Sequence, residues 1–135
     1  MKLLPAAAMC TLALAVAGCG DGDDDQEREP ATAARLEVVV RPGEGKEPVR
    51  RVEVACSALG ADAKTASCRR LGGLSHADMA PVPEDTACAQ IYGGPAVATV
   101  TGTLRGRPVD ARFDLTNACE IKRWRRNGAL LGPAP

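Results

Sequence analysis

Aromatic side chains are nearly missing from this 135-residue chain, which has one Trp, one Tyr and one Phe. Its arginines therefore have no stacking partners beside them, and nucleic acid is not expected as a partner. Histidine is as scarce: His76 stands alone, with Ser75 and Asp78 close by. Groups so near in sequence rarely converge as nucleophile, base and orienting acid, so His76 reads as an ordinary loop residue and the protein as no enzyme. Adjacent carboxylates such as Glu84 and Asp85 sit among prolines and read as solvated. No close Cys-x-x-Cys or Cys/His pair seeds a tetrahedral metal site. Gly72-Gly73 and Gly93-Gly94 lack the strand, loop and helix setting of a phosphate-binding loop. Neither metal nor cofactor is expected.

Long apolar runs are also few. Residues 3–17 form one, broken only by Pro5 and Thr11, and it is shorter than the roughly 20 residues of a resident membrane helix. Residues 1–18 read as a signal peptide. The run ends Leu14-Ala15-Val16-Ala17-Gly18-Cys19, which resembles the lipobox of bacterial lipoproteins, so Cys19 is expected to become a lipidated N-terminus on the extracellular face of the cell membrane. The alternative is ordinary cleavage after Ala17 and release as a secreted protein. Cysteine arithmetic favours the anchor. Of six cysteines, Cys10 leaves with the signal and a lipid on Cys19 leaves an even four, as suits pairing in an oxidising compartment.

Charge divides the remainder. Residues 20–29 carry six acids against Arg28, a net of −5. With no apolar periodicity they read as a solvated tether, so residues 19–34 are taken as lipidated cysteine plus acidic linker. Such a coil holds the domain on the order of 20 Å from its anchor. Residues 30–135 have fifteen bases against eleven acids, a net of +4. The neutral whole thus conceals two opposite parts.

Residues 35–135 make one domain. A chain of that size buries about two-thirds of its unfolded surface, and here it has few large side chains to bury, so disulfides are a natural supplement. Cys56, Cys68, Cys88 and Cys119 admit three connectivities. Chain order suggests Cys56 with Cys68 and Cys88 with Cys119, loops worth about 3 and about 4 kcal/mol in the chain-entropy model.

Period-two alternation predicts the strands. Leu36, Val38 and Val40 share one face until Pro42-Gly43, and Val52, Val54 and Cys56 share another. Residues 61–71 fit a short helix carrying Cys68, stopped by Gly72-Gly73, and residues 74–86 read as loop. The clearest hairpin spans residues 96–115. Ala98, Val100 and Leu104 face with Val109, Ala111, Phe113 and Leu115, and Arg105-Gly106-Arg107 makes the turn. Pro108 then suits a sheet edge. The expected fold is α+β, an antiparallel sheet with one or two short helices packed on it and two disulfides.

Between the domain's halves lies Cys88-Ala89-Gln90-Ile91-Tyr92-Gly93-Gly94-Pro95, an exposed-looking segment tied at its first residue, with a hairpin following at once. Ordering it beforehand lowers the entropic cost of presenting one extended shape. From about residue 51 to 124 the chain resembles the Streptomyces subtilisin inhibitor family. The resemblance rests on a cysteine after a strand, Cys68 followed by Leu71-Gly72-Gly73, Cys88-x-x-x-Tyr92 with a later Pro95, residues 101–109 (TGTLRGRPV), and Thr116-Asn117-Ala118-Cys119-Glu120. It implies the bridges Cys56–Cys68 and Cys88–Cys119, a homodimer formed through a sheet face, and inhibition of a subtilisin-like, or trypsin-like, serine protease. The implied reactive bond is Gln90–Ile91, with Asn117 supporting the loop from beneath.

Three departures stand out. Gly93-Gly94 replaces a single residue between tyrosine and proline and is expected to loosen the loop. Gln90 is neither cationic nor apolar. The family's apolar C-terminal strand gives way to a Gly/Pro-rich tail, which is expected to alter the dimer. The rival reading is a non-inhibitory envelope-binding module on the same scaffold, using the loop or Arg123-Trp124-Arg125-Arg126. Trp124 on its own reads as a core residue with a wet rim.

Overall fold

A computed structural model describes residues 32–45 and 48–135. The signal peptide, Cys19 and the acidic segment lie outside the described residues. Four strands, β1 (Ala34–Arg41), β2 (Arg50–Cys56), β3 (Val97–Leu104) and β4 (Arg107–Phe113), form one sheet in the order β2-β1-β3-β4. Every neighbouring pair is antiparallel. Ala34, the last residue of the expected linker, already belongs to β1.

The predicted alternation becomes the core. Leu36, Val38 and Val40 lie beside Ala98, Val100, Leu104, Val109, Ala111 and Phe113, all buried. Burying each of the larger ones stabilises the fold by about 1.5–3 kcal/mol. The hairpin turns on Arg105 and Gly106, with φ of 50° and 73°. Two positive values are what a two-residue turn matching the strand twist requires. Arg105 is the one non-glycine with positive φ among the described residues, and its hydrogen bonds offset that strain: its amide donates to the Ala33 carbonyl at 2.7 Å, its guanidinium to Leu74 O at 2.6 Å and Gly72 O at 3.1 Å. Pro108 sits on β4, an edge strand, where its missing N–H costs no ladder bond.

Helices cover the apolar face. They are α1 (Ala66–Leu71), α2 (His76–Met79), α3 (Ala118–Arg126) and α4 (Gly128–Leu131). The fold class is therefore α+β as expected, with more helices than the sequence indicated. The helix predicted over 61–71 is shorter: a 3-10 turn at Gly60–Asp62 precedes it, and Thr65, in extended backbone, accepts the Cys68 amide and starts α1. A threonine hydroxyl competes for backbone amides in this way, which favours a cap over a helix interior. The predicted loop over 74–86 contains one helical turn, α2, closed by a capping box between Ser75 and Asp78.

In the C-terminal region Trp124 is the core residue its sequence reading suggested, and the helices around it are what the sequence did not indicate. Trp124 is fully buried, and its indole N–H donates to Gly132 O at 3.2 Å. Leu130 and Leu131 of α4 complete that side of the core. Part of the Gly/Pro-rich tail thus enters the core as a helical turn. Disulfides Cys56–Cys68 and Cys88–Cys119 are both formed, with Cα separations of 5.7 and 5.6 Å. The first ties β2 to α1, and the second ties the segment before β3 to α3.

Candidate functional site

Residues 88–95 run without regular structure between Cys88 and β3. Ala89, Gln90, Ile91, Tyr92 and Gly93 are exposed. Among the described residues the exposed large hydrophobics are Val49, Ile91 and Tyr92, the latter two at 57% and 67% exposure. Ile91 and Tyr92 are thus adjacent, large and both largely in water.

The backbone of this exposed segment is nonetheless fastened at both ends. On the Cys88 side, the disulfide joins it to Cys119, and the Ala89 carbonyl accepts the Ala118 amide at 3.0 Å. On the far side, the Gly93 amide donates to Leu115 O at 2.7 Å. Both anchors therefore belong to one short stretch, residues 115–119, which leads from β4 into α3. Between them the Ile91 amide donates to Ala89 O at 2.9 Å, a three-residue turn centred on Gln90. The Gln90 carboxamide folds back, donating to Cys88 O at 3.2 Å.

Gly93 is held where the sequence led us to expect slack. A β-carbon there would meet Ile121 at 3.0 Å and Leu115 at 3.1 Å, so the backbone lies directly on α3 and only glycine makes that approach without displacing its neighbours. Asn117 also acts differently from expectation. Its side-chain oxygen accepts the Cys119 and Glu120 amides at 3.0 and 3.1 Å, capping α3. Support reaches the loop one residue later, through the Ala118 amide.

α3 is itself pinned by Arg123, which the sequence offered only as part of a basic patch for the rival binding module. Its guanidinium lies 4.2 Å over the Phe113 ring and donates to Arg112 O at 2.7 Å, Met79 O at 2.6 Å and Glu120 at 3.0 Å. One half-buried cation thereby links α3 to β4 and α2. The other sequence candidates resolve into local structure. Ser75 and Asp78 serve the α2 cap, His76 points Nε2 at Arg107 O at 3.5 Å, and Glu84 and Asp85 occupy an exposed turn closed by Thr86 N to Pro83 O. Among the described residues no cluster of His, Cys, Asp and Glu is placed to hold a metal ion, and no helix is long and apolar enough to cross a membrane.

Family models, curated proteins and solved structures offer no match to this chain. The site therefore rests on its own geometry. Gln90 and Ile91 are presented at the crest of the loop, and the groups that hold them are mostly backbone atoms of Leu115 and Ala118, which carry no signature in a sequence.

Proposed function

We propose that the protein is an extracellular, membrane-anchored inhibitor of a serine protease, acting by substrate-like insertion of residues 88–95. The observation that carries this reading is the double fastening of the Gln90–Ile91 bond to residues 115–119. An exposed peptide that enters a protease cleft pairs with the enzyme as an added strand. Attack by the protease serine on the Gln90 carbonyl breaks the Gln90–Ile91 peptide bond and forms an acyl-enzyme ester, releasing the Ile91 amine. In a free substrate that amine diffuses away and water takes its place. Here the Gly93 bond to Leu115 and the packing on Ile121 keep it beside the ester, so religation outpaces hydrolysis by effective concentration.

The topology leaves room for an anchor. β1 starts at Ala34, opposite Leu104, and ends at Arg41, opposite Val97, where the loop joins the sheet. Chain entry and loop therefore lie at opposite ends of an eight-residue strand, about 24 Å apart at the usual rise. An anchor on Cys19, joined through the expected linker, leaves the loop end of the sheet free. The exposed tryptophan required by one form of the rival module is not available, since Trp124 is buried. Titrating the chain against subtilisin-like and trypsin-like proteases tests the proposal: stoichiometric, slowly reversible inhibition that is lost in Gln90→Pro supports it, and rapid cleavage without inhibition rejects it.

A further inference from the structure

Resting on the inhibitor reading, we infer that the partner is a serine protease whose primary pocket hydrogen-bonds a carboxamide, and that Gln90 selects it. The Ala89 carbonyl and the Gly93 amide are both committed to the scaffold, to Ala118 and Leu115. The Cys88 carbonyl instead accepts the Gln90 carboxamide at 3.2 Å. It is a main-chain acceptor of the kind that an added strand pairs with once the turn at Gln90 straightens. A protease that takes the Cys88 carbonyl therefore displaces the Gln90 amide, which then needs a new partner.

Charge on the loop supplies no alternative source of selectivity. From Thr86 to Leu104 the chain has no ionisable acid, lysine, arginine or histidine. Within residues 87–95, Gln90 and Tyr92 are the two side chains with hydrogen-bonding groups free of a disulfide, and both are exposed. In an apolar primary pocket the displaced carboxamide loses its bond and its water together, a penalty of about tenfold to a hundredfold in affinity. An acidic pocket matches its N–H groups but opposes its carbonyl oxygen. A pocket offering both a donor and an acceptor satisfies both ends.

The experiment measures Ki for the full chain, Gln90→Met and Gln90→Glu against three serine proteases: one cleaving after glutamine or glutamate, one after large apolar residues and one after lysine or arginine. Gln90 is exposed and bonds only within its own loop, so these variants keep the fold, which matched thermal unfolding verifies. The native chain is expected to inhibit the first protease at least about tenfold more tightly than the second, with Gln90→Met reversing the order. Tighter inhibition of the apolar-pocket protease by the native chain, or an order indifferent to Gln90→Met, overturns the selectivity while leaving the inhibitor reading intact. Absence of inhibition by all three chains, Gln90→Met on the apolar-pocket protease included, overturns the inhibitor reading and the inference with it.

Discussion

The carbonyl of Ala89 accepts the amide of Ala118 at 3.0 Å, fastening the residue before Gln90 to the first turn of α3. That turn exists because Asn117 caps it, so loop geometry depends on a side chain that never touches the loop. Asn117→Ala is expected to cost about 1 kcal/mol of stability and to weaken inhibition, and Asn117→Asp to restore most of both. Urea unfolding measured beside Ki checks the pairing of the two effects.

The disulfide between Cys88 and Cys119 closes a separation of 31 residues. Replacing both cysteines by serine removes a constraint worth about 4 kcal/mol in the chain-entropy model and frees the acyl side of the loop. The expected outcome is a chain cut after Gln90 as an ordinary substrate, followed by mass spectrometry over time. Undiminished inhibition by the doubly substituted chain contradicts this.

Acid stability follows from Asp78. The Ser75 hydroxyl and amide, then Arg126, hold its carboxyl below the ordinary value of 3.8. A depressed folded-state pKa gives stability that is present above pH 3.8 and is lost as pH falls below it toward the folded-state value. Asp78→Asn is therefore less stable than the native chain at neutral pH, and the gap narrows in acid. Urea midpoints across that range test the sign.

Gly102 lies in β3 with φ of 131°, and a β-carbon there would fall 2.1 Å from Arg35 O of the adjoining strand. Gly102→Ala is expected to destabilise the fold by more than about 1 kcal/mol. Because Gly102 pairs with Leu36 toward the end of the sheet remote from the loop, Ki at a temperature where the variant remains folded is expected to change little.

The strands were legible because their information is local. Leu36, Val38 and Val40 alternate with Arg35, Glu37, Val39 and Arg41, charged at all but Val39, and the face read from that period is the one that meets β3 in the core. α3 was not legible. Its apolar stripe is Ile121 and Trp124 among Lys122, Arg123, Arg125 and Arg126, and Arg123 becomes a half-buried, fully engaged group only because Phe113 and the carbonyls of Arg112 and Met79 surround it. These contacts come from elements far along the chain. The exposed loop and its disulfide could be read from the residues, whereas its backbone fastenings to Leu115 and Ala118 use groups that every residue carries.

The central claim, that both sides of a severed Gln90–Ile91 bond stay in place, has a direct measurement. The chain is cut at that bond by the inhibited protease in acid, isolated with its disulfides intact, and returned to a catalytic amount of the same protease at neutral pH while intact mass is followed. The account predicts that the cut chain inhibits and that the peptide bond re-forms, giving a stable mixture of cut and intact chain approached from either side. Progressive one-way cleavage, with full protease activity throughout, contradicts it.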